Sequence, residues 1–247
     1  MKTIEETLLG RVSCRRYERE PITDDQIKFI YQAIANTPTS YNGQQYSVID
    51  VTDQALKEEL YGIVGQKQIK TCSHFMIFCM DYHKIMVGAI AKGVDMPHFY
   101  NTTDGVTVGI VDASLAMMSA IVAAESLGLG TCPIGYARTV APERLAEILE
   151  LPSHVMVVCG LAIGVPREHN DHKPKQPLSL LIHHDKYRQD DMANDILDYD
   201  SEITRYNATR SGTSTDNDWI SHIIGYYREA MSYKMAEAMR NLGFNMK

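Results

Sequence analysis

"GLGTCPIG", residues 128–135, decides the fold. Its glycines invite comparison with a dinucleotide-binding fingerprint, but the G-x-G-x-x-G spacing is absent. The segment also follows an apolar helix, whereas that fingerprint follows a strand. A doubly wound Rossmann sheet is therefore set aside. Gly128 reads instead as the left-handed cap of a helix over about 106–127, with a strand over 129–135. Upstream, "YSVIDV" (46–51) and "HFMIFCMD" (74–81) have the apolar, β-branched character of buried strands, and Asp53 opens a helix between them. Thr23 and Gln26 form a capping box for a helix over 24–36, with Ile27, Ile30, Tyr31 and Ile34 at helical spacing. Downstream, Pro142 suits the first turn of a helix, and "HVMVVCGLAIGV" (154–165) is apolar enough for a central strand buried on both faces. Helices interleaved with few strands, without regular alternation, predict an α+β fold: a mixed central sheet wrapped by helices.

Residues 84–105, with Gly88, Gly93, Pro97 and Gly105, carry the least pattern and are expected to form a variable surface excursion or lid. After "PREHNDHKPKQP" the chain turns acidic. Met192, Ile196, Tyr199, Ile203 and Tyr206 make one apolar helical stripe. A last helix from Trp219 is expected to carry Ile220, Ile223, Tyr227, Met231 and Met235 on one face. Such extended helices need a surface to cover, which a second subunit can supply.

With 247 residues, 45% hydrophobic and 22% charged, the chain suits a globular protein of one large domain with an extension. A net charge of −7 argues against nucleic acid or anionic membranes as partners. The apolar run 108–130 is interrupted by Asp112 and Glu125, so it reads as a core helix and not a membrane span. The opening residues lack the basic-then-apolar order of a secretory signal, and a cytoplasmic location is expected. Five scattered cysteines without a C-x-x-C pair predict free buried thiols, and no histidine has the spacing of a metal site.

Against that acidic background stands "RVSCRRY", residues 11–17. Arg11, Ser13 and Arg15 alternate, so an extended segment would aim them to one side, and arginine's planar fork suits phosphate. Lys173 and Lys175 alternate in the same way between prolines. The loop "PTSYNGQQ" offers Ser40, Asn42 and Gln44 as neutral hydrogen-bonding groups for the edge of a planar heterocycle. "CPIG" ends its strand with Pro133, Ile134 and Gly135, exposing backbone N–H groups to a flat ligand. No protease, hydrolase or P-loop signature is present.

"RVSCRRYEREPITDDQI", "TPTSYNGQQYSVIDV", "AAESLGLGTCPIG" and "HKPKQPLSLLIHHDKY", in this order, resemble the nitroreductase family, and most of all its larger subgroup of bacterial NAD(P)H-dependent flavin and nitro reductases. The resemblance implies an intertwined homodimer with one non-covalent FMN per site at the subunit interface. It implies an FMN-binding core over 1–183 and a C-terminal helical extension over 184–247, packed on core and partner. Arg11 and Ser13 would serve the FMN phosphate, and Arg15 the N1/O2 side of the ring. Lys173 and Lys175 would clamp the phosphate. Ser40, Asn42 and Gln44 would approach the flavin from the partner subunit, Gln66 would contact the ring, and Pro133, Ile134 and Gly135 would reach the N5 region. Arg15 is the residue expected to act catalytically, because a fixed cation beside N1/O2 stabilises the charge that develops on reduction. NADH or NADPH would donate a hydride, and free flavin, a quinone or a nitroaromatic compound would accept electrons in a ping-pong cycle. Arg210 would contact the dinucleotide. Ser214, Thr215 and Asp216 stand where relatives carry basic residues for a 2′-phosphate, so NADPH preference is expected to be weak. The alternatives are an FMN-dependent oxidase or dehydrogenase for a specific substrate, and a non-enzymatic flavin-binding redox sensor.

Overall fold

The computed structural model describes residues 1–211 and 214–246. Gly212 and Thr213 of "TRSGTSTDNDW", and Lys247 of the C-terminal extension, lie outside the described residues. The chain forms two compact units, Met1–His169 with Lys234–Lys247, and Asn170–Tyr233. That division falls ahead of residue 183, and the C-terminal stretch returns to the first unit.

The first unit is built on four strands, β1 (Tyr46–Val51), β2 (His74–Asp81), β3 (Gly130–Ile134) and β4 (Val155–Gly164), in the order β1-β2-β4-β3. All three pairings are antiparallel. The expected mixed sheet is thereby corrected: among the described residues, parallel pairing is confined to an isolated bridge between Ser13 and Thr131. Apolar patterning dictates which strand faces are buried and says nothing about strand direction. Around the sheet lie α1 (Ile4–Gly10), α2 (Asp24–Ala35), α3 (Gln54–Val64), α4 (Gln68–Thr71), α5 (His83–Lys92), α6 (Thr103–Ser126), α7 (Tyr136–Thr139) and α8 (Pro142–Ile148). The second unit holds α9 (Leu178–Leu181), α10 (Met192–Thr209) and α11 (Trp219–Ala230), and α12 (Met235–Asn241) belongs to the first.

Both faces of the sheet are buried. Met76, Phe78 and Met80 of β2 join Met156, Val158, Leu161 and Ile163 of β4 in one core with Ile30 of α2 and Ala116 of α6. Phe75, Ile77 and Cys79 join Val155, Val157 and Ala162 in a second core with Leu60 of α3 and Leu145 of α8. The alternation in β4 changes parity between Val158 and Leu161 because the β2–β4 register shifts at Phe78/Cys79. Gly160 lies at this change. A Cβ there would stand 2.5 Å from the ring of Phe75, so only glycine lets the ring pack against β4.

Several elements form as their local chemistry dictates. Thr23 and Gln26 close a reciprocal capping box on α2. α6 starts earlier than read, because the Thr102 hydroxyl accepts the Gly105 N–H at 3.0 Å, and the helix is followed by left-handed Gly128. Among the described residues α6 is the one helix long and apolar enough to cross a membrane, but it packs in the core. Two expectations are corrected. Residues 84–105 contain the regular helix α5, ended by left-handed Gly93 (φ 65°), and none of its residues is buried, so it shows no burial stripe. The helix from Trp219 stops at Ala230, and Met235 begins a separate helix in the other unit. α10 does bury Tyr199 and Ile203 of its stripe.

Candidate active site

The arginine segment runs extended along the sheet. Cys14 points inward and is buried, and its N–H donates to the Thr131 carbonyl at 2.8 Å. The buried Tyr17 hydroxyl donates to the Cys14 carbonyl at 2.6 Å and lies 3.2 Å from the Ala162 carbonyl. With these residues turned in, Arg15 is left exposed. Its backbone N–H donates to Glu168 Oε1 at 2.6 Å, while Arg16 Nε lies 3.7 Å from Glu168 Oε2.

Arg15 lines a cavity of about 530 Å³ with Arg16, Lys67, Arg167, Gln66 and Gln68. Four cations and no carboxylate among its lining residues make it electropositive in an acidic protein. Gln66 follows left-handed Gly65, which ends α3. Buried Gln68 donates its Nε2 to Gln66 Oε1 at 3.2 Å, which ties up that oxygen, and also lies 3.8 Å from Cys132 Sγ. Burial pushes the Cys132 thiol up, which keeps it protonated and unreactive.

Arg11 Nε stands 3.6 Å from the carboxylate of Glu125, and is buried without a hydrogen-bond partner. Glu125 accepts a short hydrogen bond from the Thr131 hydroxyl, and its burial pushes the carboxyl above the usual range. Ser13 bridges to Thr131. Pro133 and Ile134 close β3. Gly135 is exposed, with nothing within 4 Å of the place a Cβ would take.

The loop with Ser40, Asn42 and Gln44 lies at the other end of the sheet. Tyr46 pairs with Met80 and the Asp81 N–H donates to the Gln45 carbonyl, whereas Thr131 and His74 both pair with Ile163. Six residues of β2 separate the two ends, about 20 Å at ~3.3 Å per residue. Ser40 N–H and Gln45 N–H donate to the two oxygens of Asp112, at 3.0 and 3.3 Å. Tyr41, Asn42 and Gln44 have φ of 58°, 53° and 51°, left-handed conformations unusual outside glycine. Tyr41 and Gln45 also help to line a second, largely apolar cavity of about 740 Å³ with Tyr82, Ile85, Met96 and Phe99.

In the second unit, Lys173 and Lys175 are exposed on an extended stretch, where the Pro174 carbonyl accepts from the Tyr199 hydroxyl at 3.4 Å. Arg210 caps the C-terminus of α10, and Ser211 donates both its N–H and its hydroxyl to Asp171 at 2.7 Å.

Within the first unit, then, the structure gathers Ser13, Arg15 and Gln66 near one end of the sheet and leaves Ser40, Asn42 and Gln44 at the other. Sequence reasoning missed Arg16, Lys67 and Arg167 as cavity cations and Gln68 as the support of Gln66. It noted Asp112 and Glu125 only as interruptions of an apolar run, yet an acid inside such a run has to find a partner.

The residues fit FMN. The lining charge suits a phosphate or an electron-rich ring, the buried Arg11 Nε has an ion pair but no hydrogen-bond partner, and 530 Å³ lies within the usual ~300–1,000 Å³ of small-molecule sites. Fold and cavity define an α+β protein with a cation-lined cavity at the end of an antiparallel sheet. The nitroreductase family model matches residues 8–165, and that of the family's C-terminal domain residues 173–247. The chain belongs to the nitroreductase family. It is 33% identical over 249 residues to a Bacillus subtilis protein named FMN reductase, NAD(P)H, with all of both chains covered. A solved structure of Bacillus megaterium NfrA2 superposes with a TM-score of 0.94 at 31% identity over the whole of both chains. The NADPH:FMN oxidoreductase of Vibrio harveyi, solved with NAD+, superposes with a TM-score of 0.85 at 25% identity, covering 99% of each chain.

Proposed function

We propose that this protein is a homodimeric, FMN-dependent NAD(P)H oxidoreductase. The observation that carries the reading is the cavity where Arg15 and three further cations surround Gln66, in a family whose relatives include an FMN reductase. Bound FMN supplies the chemistry, taking a hydride from NAD(P)H and passing two electrons to free flavin, a quinone or a nitroaromatic acceptor.

The chain's residues position and charge the site. Arg15 holds a permanent positive charge where negative charge builds up on reduction. Gln66, oriented by Gln68, presents N–H groups to the ring edge. Arg11 and Ser13 bind the phosphate end, and Pro133, Ile134 and Gly135 bring backbone close to the reacting face. Arg210 contacts the dinucleotide. With Ser214, Thr215 and Asp216 beyond it, NADPH gains little over NADH.

Two observations support the dimer. Ser40, Asn42 and Gln44 lie about 20 Å from their own chain's cavity along the sheet, so a second copy has to supply them. Val111, Leu115 and Met118 form an exposed apolar stripe on α6, suited to contact that copy. One pocket serving donor and acceptor in turn gives ping-pong kinetics. Five free buried thiols suit a reducing cytoplasm.

The test is an anaerobic absorbance titration of the purified protein with NADH and then NADPH. Yellow protein bleached by either supports the reading. Protein that is colourless and cannot be reconstituted with FMN refutes it.

A further inference from the structure

We infer that Asp112 is a positioning residue for electron transfer in the partner subunit's site, acting through the loop that ends at Gln45. The inference rests on the reading of the chain as a dimeric flavoenzyme. Asp112 sits in the middle of α6, between apolar turns, and is fully buried. Among the described residues it makes no ion pair within 4 Å. A carboxylate in that position is strongly unfavourable unless hydrogen bonds replace its water. Both bonds it accepts come from one loop: Oδ1 takes the Ser40 N–H at 3.0 Å and Oδ2 the Gln45 N–H at 3.3 Å.

The two donors bracket the residues that need holding. Between them lie the three left-handed residues Tyr41, Asn42 and Gln44. Such backbone persists only where its surroundings over-determine it. At the centre of the clasp the end of the Gln45 side chain lies over Gly43, where a Cβ would stand 2.3 Å from Nε2. What it exposes is polar and chemically suited to a ligand edge: Asn42 and Gln44 are exposed, and Tyr41 is 84% exposed. A loop needed only to connect α2 to β1 has no use for three left-handed residues or a fully buried carboxylate. A loop that must present set groups to another chain's ligand has use for both. The same bonds fix Gln45, which lines the 740 Å³ apolar cavity, so Asp112 also sets one wall of that space.

Asp112→Asn keeps the shape but sets an amide N–H2 against one of the two backbone donors. The loop then loses one anchor while α6 and the sheet keep theirs. Because the loop serves the other chain, the defect acts in trans. The experiment combines Asp112→Asn chains with Arg15→Ala chains carrying a different affinity tag and isolates the heterodimer. Each parental homodimer is expected to lose at least about tenfold in acceptor reduction. The heterodimer has one site with an intact Arg15 facing an intact loop, and should recover about half the wild-type kcat. If Asp112→Asn folds poorly, Asp112→Ala replaces it, being a strong helix former that removes the same acceptors.

An Asp112→Asn homodimer as active as wild type overturns the inference. So does a heterodimer no more active than its parents, while wild type binds FMN and turns over. Wild-type protein that neither binds FMN nor oxidises NAD(P)H fails earlier, at the underlying functional reading.

Discussion

The anchoring of the arginine segment can be tested through one oxygen atom. Tyr17→Phe deletes the hydroxyl that donates to the Cys14 carbonyl at 2.6 Å. It leaves the ring in place against Gly164, where a Cβ would stand 2.7 Å from Tyr17 Cδ1. Packing is preserved, so the variant isolates the hydrogen bond. Burial pushes the phenol far above its usual pKa, so Tyr17 remains a donor at every pH the fold survives. A net protein hydrogen bond contributes about 1 kcal/mol, and a buried acceptor left unmatched costs about 1 kcal/mol more. The expected loss is therefore about 2 kcal/mol. At ~2–4 °C per kcal/mol for a chain of this size, Tm should fall by roughly 4–8 °C. The Cys14 N–H to Thr131 and Glu18 N–H to Val165 bonds, at 2.8 and 2.9 Å, still hold the segment's ends, so the variant folds. Arg15 lies between the two residues the lost bond joins, so the variant should also release FMN faster on dialysis. The assay is thermal unfolding by circular dichroism, followed by flavin absorbance after dialysis. A Tm within about 1 °C of wild type, with flavin fully retained, would refute the claim that this hydroxyl fixes the segment.

Gly160→Ala should destabilise by about 1–3 kcal/mol in urea unfolding, because its Cβ meets the Phe75 ring at 2.5 Å; unchanged stability would show that the ring moves freely. Burial raises the Glu125 pKa in the folded chain, so the fold holds that proton to higher pH than the unfolded chain does. Its contribution to stability therefore falls as pH rises from the unfolded value through the folded one. Glu125→Gln should gain on wild type as pH rises above the ordinary carboxylate range, and a stability difference that does not change with pH there would contradict the direction of the shift. Initial rates should give a kcat/KM for NADPH no more than about tenfold above that for NADH, since tenfold is about 1.4 kcal/mol and no basic side chain stands at residues 214–216.

The elements legible in the sequence are those whose signal is local. The capping box of Thr23 and Gln26, Pro142 in a first turn and the unbroken apolarity of β4 each carry their own physics within a few residues. Strand direction does not, and the mixed sheet became an antiparallel one. α5 escaped because it packs on the core only through half-buried residues such as Ile85 and Met86, which leaves no fully buried stripe to betray it. For the candidate site, the extended course of the segment that carries Arg15 into the cavity lining was legible, because alternation in an extended segment is a local rule. The four-cation cavity was not, since it draws Lys67 from beyond α3 and Arg167 from beyond β4. Those residues meet only after the sheet has formed.

The two acids that interrupt the apolar run of α6 tie the halves of the proposed site to one rigid element. Glu125 holds Arg11 and Thr131 at the cavity end, and Asp112 holds the Ser40 and Gln45 amides at the loop end. They lie thirteen residues apart on one helix, about 20 Å at ~1.5 Å per residue. The loop and the cavity ends of β2 are separated by the same distance. In the proposed dimer, a single helix thus sets the spacing between the residues a chain keeps for its own cavity and those it offers to another. From beside Asp112 toward Glu125, Val111, Leu115 and Met118 form the exposed apolar stripe. In the proposed dimer that stripe lies at the contact, so a two-fold axis there pairs each chain's cavity with the other's loop. Flexing the helix would misplace both sites together, which is reason enough for buried carboxylates where alanine would pack more easily.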